Sequence, residues 1–199
     1  MPSSVASPSK DRWRTRFRAY RRGLAPATYR ARSTLICART AALPAVARAG
    51  CVHLYWPLAE KGEVDTRPLI QTARGRGTTV VLPVVTSFDP AAPTMAHRRY
   101  EGPGALSTNR WGIREPVGTA PVPPDAPDAV VVPALGADPR GTRLGQGAGY
   151  YDTFLRDLAV PRIVLTYEAC VVDTLPAEPH DVPATTVVTE RRVIGTGAP

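Results

Sequence analysis

The 199 residues contain only three cysteines and three histidines. Cys37, Cys51 and Cys170 are odd in number and widely separated, which excludes a disulfide framework and a CxxC metal site. Their apolar neighbours mark them as buried thiols suited to a reducing compartment. His53 and His97 have no partners at the spacing of metal ligands or of a catalytic dyad, so no chemistry is assigned to them. His180 adjoins Asp181 and is placed to orient it. No apolar run is long enough to cross a bilayer, and the opening MPSSVASPSK lacks the core of a signal peptide. Neither GxxxxGK[ST] nor the dinucleotide pattern GxGxxG occurs. There is also no aromatic strand or Arg-aromatic run of the kind that reads RNA, so a nucleic-acid partner is not expected. What remains is a cytoplasmic protein that does not engage a membrane. A disordered start over residues 1–9 precedes one domain over 10–199, a monomer whose partners are small molecules.

The net charge of +8 is concentrated at one end. Residues 1–50 carry eleven Lys and Arg against the single acid Asp11, a balance of +10, and the remaining fourteen basic and sixteen acidic residues give −2. Such a basic arm can attract RNA, a membrane surface or a polyanionic small ligand, and composition does not choose among them. Trp13, Phe17, Tyr20 and Leu24 repeat at the spacing of an amphipathic helix. At about 100° per residue Lys10, Arg14, Arg18 and Arg21 then form one basic ridge beside the packed face. A second, Ala-rich helix is expected near 26–48, ended or bent by Pro44.

Beyond residue 50 the pattern changes to short apolar runs: Cys51 to Trp56, Thr78 to Val85, Asp128 to Leu135, Arg162 to Tyr167 and Thr186 to Val193. With helices expected near 65–75 and 152–159, these read as buried strands of an α/β sheet. Residues 86–127, rich in Pro and Gly and without a clear period, are expected to form a long excursion over the edge or end of that sheet. Within it PVPPDAP at 121–127 reads as a rigid connector.

The segment from Asp128 to Leu155 has the layout strand, glycine-rich loop, helix. Gly141, Gly145, Gly147 and Gly149 leave the loop free of Cβ atoms, so backbone N–H groups can approach an anion at the start of the following helix. On glycines alone, a phosphate cradle and a merely flexible loop are both open.

RLGQGAGYYD resembles the signature GxRLGxGxGYYD of the 5-formyltetrahydrofolate cyclo-ligase family, standing here as Gly141, Arg143, Leu144, Gly145, Gly147, Gly149, Tyr150, Tyr151 and Asp152. Gln146 and Ala148 occupy its variable positions. The resemblance implies an ATP- and magnesium-dependent enzyme that converts 5-formyltetrahydrofolate to 5,10-methenyltetrahydrofolate through phosphorylation of the formyl oxygen. It assigns Arg143, Leu144, Gly145, Gln146, Gly147, Ala148, Gly149, Tyr150 and Tyr151 to ATP, and Gln146 to Tyr150 to the folate as well. Arg143, Tyr150 and Tyr151 are the implied catalytic residues, the tyrosines for any proton handling.

KDRWR, Lys10 to Arg14, is similar to the family's opening K-x-x-x-R. That places Lys10 and Arg14 on the ATP phosphates and leaves Arg16 and Arg22 to solvent. YWPLAEKGEVDTRPLI resembles the family's strand and Glu-Val-Asp-Thr turn, implying that Leu58 and Glu63 hold the folate. Asp65 and Thr66 are expected to cap the next helix, with Pro68 in its first turn. PHDVPATTVVTE resembles the family's last motif and implies that Asp181 joins Asp152 around Mg2+, although Asp152 also suits a helix N-cap. The chain departs from the family at Thr185, where a second Asp is usual. Trp111, in a stretch similar to the family's Gly-Ile-x-Glu-Pro, is expected to pack the long loop. The implied fold is a three-layer Rossmann-like α/β domain with a largely parallel sheet, preceded by N-terminal helices, with ligands across the carboxyl ends of the strands. A non-catalytic paralogue that kept the nucleotide pocket is the alternative.

Overall fold

The structure is a computed structural model that describes residues 9–198, so most of the expected disordered start lies outside the described residues. Helix α1 (Lys10–Arg22) begins where the Ser9 side chain accepts from the Arg12 N–H. α2 (Pro26–Ala42) starts with Pro in its first turn and stops before Pro44, which opens the short α3 (Pro44–Ala47). There follow β1 (Cys51–His53), α4 (Arg67–Gly75), β2 (Thr79–Ser87), β3 (Thr94–Arg99), β4 (Leu106–Thr108), β5 (Arg114–Pro116) and β6 (Ala129–Pro133). The chain then forms β7 (Gly136–Ala137), β8 (Arg143–Leu144), α5 (Tyr150–Leu155), β9 (Arg162–Leu165), β10 (Thr186–Val188) and β11 (Val193–Gly195).

Seven strands form one sheet in the order β11-β10-β9-β6-β1-β2-β3. The five inner strands are parallel, and the edge strands β3 and β11 are antiparallel to their neighbours. The central strands have side chains buried on both faces. Ala129 and Val131 of β6 pack with α1, α2 and α4, whereas Val130 and Val132 pack with Leu155 and Phe154 on the α5 side. Those two apolar layers, one on each side of the sheet, give the expected three-layer arrangement. The β1–α4–β2 and β6–α5–β9 units run outward in opposite directions from the β1/β6 boundary. In such sheets the crevice at the carboxyl ends of the two diverging strands is the natural ligand site.

Three expectations are corrected. The 86–127 excursion is not irregular: β2 turns back through β3, and β4 and β5 form a further hairpin. The final run is two strands rather than one, because the Thr189 hydroxyl accepts from the Arg191 and Arg192 N–H groups and reverses the chain. Cys51 is half-buried, unlike Cys37 and Cys170.

Helix α1 lies on the sheet because Phe17, fully buried and stacked on Trp13 at 5.4 Å between ring centroids, fits against Gly136. A Cβ on Gly136 would meet Phe17 Cε2 at 2.3 Å, so only glycine admits the ring. Removing the ring should therefore be costly: Phe17→Ala is expected to lose about 3–5 kcal/mol of unfolding free energy in urea titration. A loss under about 1 kcal/mol would mean that α1 is not part of the core.

Candidate active site

A cleft of about 580 Å³ opens at the carboxyl ends of β1 and β6. Leu58, Lys61 and Glu63, from the chain after β1, line one wall, together with Pro133, which ends β6, and Ala134 and Leu135, which follow it. The basic ridge of α1 faces it. Lys10, Arg14 and Arg21 line the cleft, while Arg18 reaches over the loop to hold Gln146 Oε1 through Nε and Nη2 at 3.2 and 2.8 Å. Arg21 is buried and donates to the Ala134 carbonyl, so it is a wall of the site rather than part of a solvated face. Arg16 and Arg22 are exposed.

The glycine-rich loop, 145–149, crosses the cleft and leads into α5. Gly147 and Gly149 sit at positive φ. Among the described residues no acceptor takes a hydrogen bond from the backbone N–H groups of this loop, which leaves a set of donors for an anion. Arg14 Nε donates to the Gly145 carbonyl at 3.2 Å, tying the loop to α1. α5 has only six residues, so the loop donors rather than a helix dipole are the anion-binding element. It begins at Tyr150, not near 152, with Gly149 as its cap residue. Asp152 therefore lies inside the first turn and is not an N-cap.

Asp152 Oδ1 accepts from Arg143 Nη2 at 2.6 Å and from the Val182 N–H at 3.1 Å. Arg143 also donates to the Val182 carbonyl. Asp181 Oδ2 accepts from Lys10 Nζ at 2.7 Å and from the Glu178 N–H at 2.8 Å. Burial works to raise the Asp181 carboxyl, but the Lys10 ammonium and the Glu178 N–H outweigh it and hold the group below its ordinary value. Both carboxylates line the cleft, and the stretch after Asp181 is tied back to the turn before β8. Ala184 N–H donates to the Gly141 carbonyl at 2.9 Å, and Gly141 lies at φ +89° with Ala184 O only 2.3 Å from where a Cβ would be. His180 Nε2 is nearer Glu178, at 3.2 Å, than Asp181 at 3.8 Å.

The rest of the lining is mostly apolar: Leu58, Pro83, Val85, Met95, Trp111 and Ile113. Trp111 packs on Phe88 and Tyr150, with ring centroids 4.6 and 5.6 Å away, and also faces the cleft. Glu63 is not a surface acid. It is 7% exposed, its Oε2 accepts from the Leu58 N–H at 3.0 Å, and desolvation raises its pKa despite that bond and the nearby Arg21.

A profile of the 5-formyltetrahydrofolate cyclo-ligase family matches residues 6–190. The chain belongs to that family. It is 30% identical over 181 residues to the 5-formyltetrahydrofolate cyclo-ligase of Escherichia coli, a match covering 88% of this chain and 97% of the relative. With the cyclo-ligase of Mycolicibacterium smegmatis it shares 35% identity over 153 residues, 72% of this chain and 75% of that one. The solved structure of Aquifex aeolicus 5,10-methenyltetrahydrofolate synthetase superimposes with a TM-score of 0.82 at 30% identity, covering 94% of this chain and 93% of that one.

For this cyclo-ligase family member the structure gathers every residue for which the resemblance implies a ligand, Lys10, Arg14, Leu58, Glu63, Arg143 to Tyr151, Asp152 and Asp181, into one cleft. Thr185 is outside it: its hydroxyl accepts from the Arg162 N–H and donates to the Arg162 carbonyl, pinning β9. Thr66 caps α4 by position but not by hydrogen bond, since its hydroxyl donates to the Tyr55 carbonyl, and Asp65 instead accepts from the Arg67 N–H. Sequence reasoning missed Met95, Ile113, Glu115 and Glu178, which come from the excursion and from the loop before Asp181. Ile113 and Glu115 had a signal, as parts of the GIREP stretch, and Met95 and Glu178 had none. It also gave His53 and His97 no role, yet His53 is fully buried on β1, with Nε2 3.3 Å from the Tyr151 hydroxyl, and His97 lies on β3.

Burial, with a smaller contribution from His97, pushes His53 down to about 3 from 6.5. A histidine kept neutral in the fold stabilises it fully above the unfolded value, and that contribution is lost as pH falls from there toward the folded value. Relative to His53→Gln, the wild type should therefore lose stability by up to about 1.4 kcal/mol per pH unit below about pH 6. Parallel stability curves for the two proteins would contradict this.

Proposed function

We propose that this family member, as one domain over residues 10–199 in the cytosol, converts 5-formyltetrahydrofolate to 5,10-methenyltetrahydrofolate with ATP and Mg2+, releasing ADP and phosphate. The observation that carries the reading is the convergence of α1's cations, the glycine-rich loop and two carboxylates in one cleft at the β1/β6 boundary.

The charge balance of the cleft supports a divalent cation. Five cationic residues line it, Lys10, Arg14, Arg21, Lys61 and Arg143, against six carboxylates, Asp11, Glu63, Glu115, Asp152, Glu178 and Asp181. A triphosphate finds no surplus of positive charge there. The donor set suits the ion: each of Asp152 and Asp181 uses one oxygen in protein hydrogen bonds, and both are hard oxygen ligands. Asp152 and Asp181 would hold it, with phosphate and water completing its shell. When bound, Mg2+ neutralises phosphate charge and polarises the transferred group.

The residues of the chain act by positioning and electrostatics. The N–H groups of 145–149, with Lys10, Arg14 and Arg143, hold the phosphates in line with the formyl oxygen. Leu58 and the apolar wall enclose the pterin, and the buried Glu63 accepts from its amino and ring N–H groups. The formyl oxygen forms its bond to the γ-phosphorus as the bond to ADP breaks. The folate's 10-nitrogen then attacks the formyl carbon, phosphate leaves with the former carbonyl oxygen, and the nitrogen loses its proton. The nucleophile belongs to the substrate, so no Ser, Cys or His nucleophile is needed. Tyr150, whose hydroxyl donates to the Ser87 carbonyl at 2.8 Å, holds the loop against β2, and Tyr151 lines the cleft beside it.

The test is the near-ultraviolet absorbance of the methenyl product from purified protein, 5-formyltetrahydrofolate, ATP and Mg2+. Product is expected only when both ATP and Mg2+ are present, with Asp152→Ala lowering kcat by about a hundredfold or more, the scale of one lost transition-state electrostatic contact. Folded protein that binds ATP but forms no product would replace this reading with the non-catalytic paralogue.

A further inference from the structure

Beneath α5, on the face of the sheet away from α1, β1 and β3 bring two buried histidines together. The rings of His53 and His97 have centroids 5.7 Å apart, and each packs on Phe154, at 5.1 and 5.5 Å. Neither histidine belongs to the cleft lining, and no step of the proposed reaction uses them. His97 Nε2 lies 2.7 Å from the Pro123 carbonyl. A carbonyl only accepts, so this nitrogen carries the proton and the unpartnered His97 Nδ1 is a bare lone pair.

The same reasoning fixes His53. Its Nδ1 is buried without a partner, and its Nε2 faces the Tyr151 oxygen at 3.3 Å. A proton on Nδ1 would leave a buried N–H with no acceptor. A proton on Nε2 leaves only a lone pair unmatched, the orphan that folded proteins tolerate more often. Burial keeps the ring neutral, so exactly one nitrogen is protonated. We propose that His53 is a positioning residue which donates from Nε2–H to the Tyr151 oxygen, leaving the Tyr151 proton free to be donated to an acceptor oxygen of the ligand in the cleft. Tyr151 lines the cleft, and its hydroxyl has no other hydrogen-bond partner among the described residues. With the His53 N–H occupying an oxygen lone pair, the phenol's own hydrogen must point elsewhere. A buried side chain on β1 thereby sets the direction of a donor at the site. The ligand's oxygen belongs to a formyl or phosphoryl group, and this part of the inference rests on the function proposed above.

Two measurements test it. In protein labelled with 15N-histidine, the long-range ring pattern of His53, assigned by its loss in His53→Gln, should be that of the neutral Nε2–H form at about pH 6 and at about pH 8. An Nδ1–H pattern overturns the proposal, and this readout on the ligand-free protein holds whether or not the function is as proposed. In the kinetic arm, His53→Leu and Tyr151→Phe should each lower kcat about tenfold, the equivalent of one oriented hydrogen bond. The double variant should fall no further. His53→Gln, whose amide donates from the position of Nε2, should restore kcat to within about threefold of the wild type. A folded His53→Leu with wild-type kcat, or a His53→Gln as slow as His53→Leu, sinks the positioning role. A wild type that makes no product sinks the function instead and leaves the tautomer result standing.

Discussion

Everything in the site depends on the seating of Phe17 against Gly136. Phe17 is the innermost side chain of α1, and Gly136 follows β6, the strand at the boundary where the two crossover units diverge. The missing Cβ lets the helix axis come close enough for Lys10, Arg14, Arg18 and Arg21 to reach the carboxyl ends of the strands. The ridge and the apolar stripe are two faces of one helix, so burying one aims the other. Four of the eleven basic residues in the first fifty are aimed in this way, while Arg16 and Arg22 of the same helix stay exposed and Arg32 pairs with Glu190.

The cations brought in this way do not stand as bare charges. Lys10 pairs with Asp181 and Glu178, Arg143 with Asp152, and Arg14 with Asp11. Half-buried charges without partners are costly, and these pairs compensate them while the cleft holds no ligand. The same pairs set the terms on which a polyphosphate enters: cations must turn to phosphate oxygens, and the carboxylates they leave need a new positive partner. In the proposed function, a divalent cation arriving with the nucleotide would meet that need. The fold thus stores, as internal ion pairs, the donor set that a metal-nucleotide complex would take over.

The sequence carried most of this architecture. Alternation of apolar runs with helical segments located five of the seven strands of the main sheet, and the spacing of Trp13, Phe17, Tyr20 and Leu24 placed the basic ridge correctly. The antiparallel edge was not legible. β3, TMAHRR, is half-exposed and polar, so it lacks the apolar signal of a buried strand. Turn chemistry also escaped notice at Thr189, where a single hydroxyl reverses the chain inside an apolar run. In the site, residues within continuous motifs were readable, whereas Met95 and Glu178 reach the cleft only through tertiary folding. His53 was passed over because a lone histidine in an apolar strand gives no pattern. Its significance comes from Tyr151, 98 positions away along the chain.

The most direct test of the central claim is a crystal structure of the protein with a non-hydrolysable ATP analogue, Mg2+ and 5-formyltetrahydrofolate. The account predicts the triphosphate on the 145–149 N–H groups with Lys10, Arg14 and Arg143 turned onto it, the ion between Asp152 and Asp181, and the pterin against Leu58 and Glu63. A nucleotide bound away from α1, with the Lys10–Asp181 and Arg143–Asp152 pairs intact, would contradict it.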